Sequence, residues 1–330
     1  MHRLLNGIRG LHNMVQPKRN SIIGIDISST AVAILALSEK DKVLCVDCYG
    51  REFLSPNALG TIDAVPNTIK KLLHQVHPQY KRVAVALPDA VVITKIIQVN
   101  AYLNEVEIEE YVYLEASKHI PYPLNEIYFD FTIMGASTKN SSLVDVLIVA
   151  SRAEQVTSLV TLVNKAGLDV HIVDVASYAV ARAIQHLSVD LPVESRDKTI
   201  ALIQLNTQGI NLFVMQKMEL IYFRETPLSA AQLPTAFASL KEYLLIQIKH
   251  VLHFFCSLSP EHNVTHIVLA GDLAQVPGLA GIIQEQIRVT ISIANPFSHM
   301  VCGEAVDRSA LHQDAPELMI ACGLALRNIA

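Results

Sequence analysis

One three-strand plan occurs twice in this chain of 330 residues. Residues 21–27, 31–37 and 43–49 read as short strands rich in Ile, Val, Leu and Ala, joined by turns of Ser, Asp and Lys. From residue 199, "TIALIQLNTQGINLFVMQKMELIYFRET" again reads strand, turn, strand, turn, strand over 199–225. Each meander has a polar first turn, Asp26-Ile27-Ser28-Ser29-Thr30 in one and Gln204-Leu205-Asn206-Thr207-Gln208 in the other. Helical segments follow both. Two related halves imply an α/β chain with a cleft between them, to which each half offers its first turn. The first three strands of each half are antiparallel, unlike the all-parallel dinucleotide sheet, and neither G-x-G-x-x-G nor a P-loop is present.

The rest of the chain fills in around the repeat. A helix is expected over 61–77, with Ile62, Val65, Ile69, Leu72, Leu73 and Val76 on one face. "VAVALPDAVVITKIIQV" gives two strands around a Pro88-Asp89 turn. Asn104 caps an acidic-started helix over 104–119, which stops at Pro121 and Pro123. "IYFDFTIM" and "LVDVLIVAS" are strands, 153–167 is a helix ended by Gly167, and "VHIVDV" leads into a helix over 175–187. A polar run with Pro192 at 188–198 reads as the boundary between halves. The second half adds a long helical region at 228–256 and a strand at 266–270 running into a turn that opens a helix. A last helix is expected at 314–329, with Asp314 as N-cap and Pro316 near its first position.

Composition narrows the function classes. Hydrophobic residues make up 51% and charged residues 17%, enough apolar material for large cores. A net charge of −5 argues against a nucleic-acid protein, which shows a basic face. No stretch approaches the ~20 apolar residues that span a bilayer, and the start has no continuous apolar signal region, so a cytoplasmic protein is expected. Residues 1–20 form a basic segment, with Leu4, Ile8, Leu11 and Val15 at helical spacing. They fit a tail, a docked helix, or an amphipathic helix touching a membrane or partner. The five cysteines do not form a disulfide framework, and the lone C-x-x-C at Cys45 and Cys48 lacks a second pair for zinc. His250 and His253 have no acidic ligand motif beside them, and Ser151 has no nucleophile elbow.

Several long phrases carry a family likeness. "ALPDAVVITKIIQV", "LEASKHIPYPLNEIYFDFTIMG", "LIVASRAEQV", "AGLDVHIVDVASYAVARAI", "VLAGDLAQVPGLAGIIQEQI", "ANPF" and "DAPELMIACGLALR" resemble the PilM family of type IV pilus assembly proteins over about residues 21–330. Those proteins belong to the actin-like ATPases, which include actin, hexokinase and the division protein FtsA. The resemblance implies an FtsA-like two-lobed α/β fold with subdomains 1A, 1C, 2A and 2B. Lobe 1 would be 21–187 with 1C inserted at about 82–170. Lobe 2 would be 199–312 with 2B at about 228–262, and a C-terminal helix at 313–330 would pack back on lobe 1. It implies an adaptor at the cytoplasmic face of the inner membrane. Such a protein binds the cytoplasmic N-terminal tail of the bitopic protein PilN near the 1A–1C junction and links motor to periplasmic components. Ile120 and Tyr122 of "HIPYPL" are apolar anchors whose default role is packing within the fold, with a share in the groove for that tail as the alternative. The C-terminus lacks the amphipathic extension of FtsA-type proteins, which favours attachment through a partner. A small-molecule kinase and an FtsA-like division protein are the alternatives within the fold.

The same resemblance implies an ATP site, and here the sequence departs from the family. Asp26 fits a Mg²⁺ ion held through water, and Ser28, Ser29, Thr30 and nearby backbone N–H groups fit phosphate. Gln204, Asn206 and Thr207 stand where the family has a second Asp-Ile-Gly, and Gly271-Asp272 stands where it has Gly-Gly. Glycine has thus become Ser28, Asn206 and Asp272 at three turns. If those turns need left-handed backbone, each β-carbon costs roughly 1 kcal/mol or more. Gln204 can orient a water but cannot act as a carboxylate base. Weak ATP binding and little or no hydrolysis are expected.

Overall fold

The computed structural model describes residues 22–54, 63–137, 140–187, 198–229 and 233–329. The expectations for the 1–20 segment and for nearly all of the 188–198 linker lie outside these residues. The strands are β1 (Ile23–Ile27), β2 (Ala31–Lys40), β3 (Val43–Phe53), β4 (Arg82–Leu87), β5 (Val92–Asn100), β6 (Ile127–Ala136), β7 (Leu143–Arg152) and β8 (Asp169–Val175). They continue with β9 (Thr199–Asn206), β10 (Gly209–Gln216), β11 (Glu219–Pro227), β12 (Val264–Ala270), β13 (Thr290–Ile293) and β14 (Val301–Cys302). The helices are α1 (Ala64–Val76), α2 (Glu105–His119), α3 (Ala153–Asn164), α4 (Ala176–Leu187), α5 (Phe237–Leu258), α6 (Leu279–Ile287), α7 (Arg308–Asp314) and α8 (Met319–Ala325).

The repeat read from the sequence is a repeat of topology. One sheet runs β14-β3-β2-β1-β4-β8 and another runs β11-β10-β9-β12-β13. In both, the antiparallel meander is followed by two parallel strands on the free side of its first strand, β4 then β8 in one and β12 then β13 in the other. Even the second turns match. Asp41 and Lys42 have φ of 53° and 65°, and Lys217 and Met218 have 49° and 65°. Both positions left-handed is the two-residue hairpin whose twist suits the flanking strands, normally built with Asn-Gly. Lys42→Gly and Met218→Gly should each stabilise the fold by about 0.5–1 kcal/mol, because the β-carbon penalty is relieved. A urea midpoint that falls in both variants would contradict this.

Each half closes its own core. In the second, Leu205, Leu212 and Leu269 of the sheet pack with Leu244, Ile248 and Phe255 of α5. The Phe255 ring lies 5.1 Å from that of Tyr222 on β11. A third sheet, β5-β7-β6, carries α2 on one face, with Ile97, Val99, Val112, Ala116 and Ile148 among the buried contacts. The expected cap of α2 is a full capping box: Asn104 Oδ1 accepts from Val106 N and Glu107 N at 3.0 and 3.1 Å, and Glu107 Oε2 accepts from Asn104 N at 2.8 Å.

Four boundaries differ from expectation. β4 pairs with β1 and β8, so the inserted segment's own sheet lies within 92–152 rather than filling 82–170. The long helix begins at Phe237 rather than at 228, with Ala236 as its N-cap and Pro234 two residues before that. The helix expected at 314–329 is broken: α7 ends at Asp314, a 3-10 turn covers Ala315–Glu317, and α8 follows. Pro316 has no N–H to continue α7, whose own N-cap is Asp307, which accepts from Ser309 N and Ala310 N. Asp314 stands at the N-cap of the 3-10 turn with Pro316 in its first positions, as expected, but its side chain makes no capping bond.

The fourth concerns domains. Contacts group the chain into one compact unit of 1–36, 50–176 and 327–330 and another of 37–49 and 177–326. The division does not fall at 188–198. α4 and α8, expected with the first lobe, are held to each other inside the second unit. Gly323 of α8 lies directly on the Ala179 carbonyl of α4, and Arg182 Nη1 donates to Gly323 O at 2.6 Å.

Candidate functional site

The sequence-predicted nucleotide residues gather at two turns, one in each compact unit. The first joins β1 to β2. Asp26 is the penultimate residue of β1 and pairs with Ala33 across the ladder, while the flanking Ile25 is fully buried. Alternation along the strand separates the two. Asp26 is only partly exposed, and removal from water pushes its carboxyl up to about 7, against the opposing pull of Arg51. Arg51, near the end of β3, was not singled out in the sequence because only the folded meander brings it near Asp26. Its guanidinium also lies 4.4 Å from the centroid of the exposed Phe53 ring.

Ser28, Ser29 and Thr30 form the turn itself. Ser28 N donates to Ala31 O at 2.9 Å, and Leu54 N donates to Thr30 O at 2.8 Å, pinning the turn to the end of β3. The Ser28 hydroxyl is fully engaged. Its oxygen accepts from Thr30 N at 3.2 Å and Ala31 N at 3.0 Å, it donates to Ala31 O at 3.0 Å, and Thr30 Oγ1 lies 3.3 Å away. A phosphate cradle needs successive backbone N–H groups free to meet oxygen. Two of those at this turn are taken by the serine. Asp26 offers a carboxylate for Mg²⁺, but one whose ionisation burial disfavours. As folded, this turn does not fit a magnesium–nucleotide phosphate group.

The second turn joins β9 to β10. Gln204 pairs with Asn211 of β10 and Ala270 of β12, and is 5% exposed. Its Oε1 has no hydrogen-bond partner among the described residues. An ionised carboxylate at such a position would carry a much larger desolvation cost than this amide. Asn206 and Thr207, half-buried, complete the corner, and Gly271 folds against it. Gly271 has φ of 87°, and a β-carbon there would strike the Leu205 carbonyl and the Asn206 side chain. Gly271 N donates to Pro316 O at 2.8 Å, and Leu273 N donates to Leu205 O at 3.0 Å. Asp272 follows, partly buried.

Strain is not what the three lost glycines cost. Among the described residues, the non-glycine positions with positive φ are Asp41, Lys42, His77, Lys217, Met218 and Arg288. Ser28, Asn206 and Asp272 are not among them, so no left-handed penalty applies. Glycine survives at 271, where both φ and space demand it.

The remaining candidates sort by burial. Ile120 is 6% exposed, caps α2 through its N–H to Ala116 O, and belongs to the core under that helix. It offers no surface to a partner. Tyr122 is 40% exposed, with the Arg152 guanidinium 5.6 Å from its ring centroid. Ser151 is buried and donates to Val91 O at 2.8 Å, a structural role. His250 and His253 are exposed on α5, and no metal-holding group of His, Cys, Asp or Glu occurs among the described residues. No described helix is long and apolar enough to cross a membrane.

Comparison with known proteins agrees with this architecture. The sequence model of the family described as type IV pilus assembly protein PilM matches residues 24–242 and 235–329. A solved structure described as the PilM-PilN type IV pilus biogenesis complex superposes with a TM-score of 0.78 at 21% identity, covering 94% of this chain and 99% of that one. The ethanolamine utilization protein EutJ from Carboxydothermus hydrogenoformans superposes with a TM-score of 0.51 at 11% identity, covering 98% and 94%. These likenesses show an actin-like α/β fold. With the family matched across both halves, the chain belongs to the PilM family of type IV pilus assembly proteins.

Proposed function

We propose that this protein is a docking adaptor of type IV pilus assembly. It holds the cytoplasmic N-terminal tail of a PilN-like single-span protein and so sits at the inner face of the membrane without entering it. One observation carries the reading: a complex of PilM with PilN aligns over 99% of its matched chain. The chemistry is consistent. An adaptor needs a stable surface and no turnover, and of the turns read from the sequence as nucleotide-binding, one carries a self-occupied hydroxyl and the other an amide in place of a second acid. Nucleotide binding is weak or absent in this reading, and hydrolysis negligible. A kinase would need a carboxylate base beside its acceptor; position 204 supplies none, which weighs against that alternative, and such a base would have to sit elsewhere.

The docking region in this reading is the β5-β7-β6 sheet with α2, the counterpart of subdomain 1C, together with its junction to the first sheet; the region of α5 is the counterpart of 2B. Tyr122 is the candidate anchor, an exposed ring whose apolar body suits an extended peptide. Titrating a fluorescent peptide of the partner's tail against the protein should give saturable binding. Tyr122→Ala should weaken it about tenfold, the effect of losing one aromatic anchor. No saturation up to millimolar peptide would refute the adaptor reading. An unchanged affinity in Tyr122→Ala would move the anchor elsewhere.

A further inference from the structure

We propose that Ser28 is an intramolecular stand-in for phosphate, and that its hydroxyl, not the absence of glycine flexibility, keeps the β1–β2 turn closed to nucleotides. The inference rests on the reading that this turn belongs to a nucleotide site, and it names the residue that decides that site's affinity.

The geometry separates two explanations of the serine. If glycine were missed for its backbone freedom, residue 28 would lie at positive φ, and it does not. The turn therefore tolerates a β-carbon. What the serine adds is one oxygen placed 3.2 Å from Thr30 N and 3.0 Å from Ala31 N. Adjacent backbone donors sharing one oxygen is the arrangement by which such turns grip an anion. Here the oxygen is covalently tethered, so it fills the place at an effective concentration no free ligand reaches. The serine proton also has an acceptor within the turn, Ala31 O at 3.0 Å. An entering phosphate must break two hydrogen bonds before it makes any. At the usual net worth of each, this weakens binding by roughly tenfold or more.

The lock is local. The turn is pinned from outside by Leu54 N to Thr30 O at 2.8 Å, and Ser28 N to Ala31 O at 2.9 Å closes it through the backbone. Neither bond uses the hydroxyl. Removing the oxygen leaves the turn standing with the amides of Thr30 and Ala31 uncovered.

Isothermal titration of the full chain with Mg²⁺-ATP, and separately with Mg²⁺-pyrophosphate, tests this. Both titrations are run at pH 8, above the point where Asp26 ionises. Ser28→Ala and Ser28→Gly should both bind roughly tenfold or more tightly than the wild type. Pyrophosphate should show the same gain, since the gain lies at the phosphates. Improvement in Ser28→Gly but not in Ser28→Ala would overturn the proposal in favour of backbone freedom. Equal, measurable affinity in all three proteins would overturn the lock while leaving the nucleotide site in place. No binding by any of them would overturn the lock and the nucleotide site together. Circular dichroism of each variant confirms that the fold is intact.

Discussion

Gly323→Ala should destabilise the protein by about 3 kcal/mol or more, the largest single effect expected outside the sites. A β-carbon on Gly323 would overlap the Ala179 carbonyl oxygen and approach Ala179 Cα to 2.9 Å. Both are backbone atoms of α4, so no side chain can swing aside, and overpacking against a fixed neighbour is the costly kind. The carbonyl of Gly323 also receives the Arg182 guanidinium at 2.6 Å, and a shift of α8 would strain that bond too. Gly281→Ala is the matched control. Gly281 is exposed in α6, with nothing within 4 Å of its added carbon. That substitution should stabilise by about 0.5–1 kcal/mol through helix propensity alone. Urea denaturation of the pair measures both signs at once. A similar midpoint for the two variants would mean that α4 and α8 are not in such close backbone contact.

Asp26→Asn should stabilise the isolated protein at pH 8 by about 1–3 kcal/mol and have no comparable effect at pH 4. The folded-state pKa is raised from 3.8 to about 7. Below pH 4 the carboxyl is neutral in both folded and unfolded chains. As pH rises toward 7, the unfolded chain sheds the proton while the folded one retains it, and stability falls across that window. Above it, the folded protein holds an ionised group that burial disfavours. The full shift would correspond to about 4 kcal/mol, and partial exposure of the side chain reduces this. Asparagine has the same shape and no charge, so its advantage should grow with pH. A stability difference that is flat from pH 4 to 8 would show that burial does not govern Asp26. A carboxylate kept at a cost to stability is what a binding position looks like rather than a packing one.

The sequence was most legible where local chemistry and pattern agree. The two meanders, their polar first turns and the Asn104 cap all follow from residues within a few positions of each other, and all are present in the fold. It was least legible where the decisive neighbour is distant along the chain. Arg51 acts on Asp26 only after β3 has folded beside β2. Ile120, beside Pro121, reads from the sequence either as fold packing or as a partner anchor, and only the fold, which turns it under α2, decides between them. Pro316 near a helix start and Pro316 breaking a helix look the same until Asp307 is seen capping the turn before it. Ser28 is the instructive case. Its departure from glycine is visible in the sequence, but the expected mechanism was steric. The fold shows an unstrained backbone and a hydroxyl occupying the donors instead.

In the adaptor reading, this family member works by holding a partner's tail, with nucleotide turnover playing no part. Fluorescence anisotropy of a labelled tail peptide tests it most directly, titrated with the full chain in no nucleotide, in Mg²⁺-ADP and in Mg²⁺-ATP, with phosphate release followed in the same samples. The expected result is one saturable curve, the same in all three conditions and in Asp26→Asn, with no phosphate released. Binding that appears only with ATP, or phosphate release that vanishes in Asp26→Asn, would contradict it.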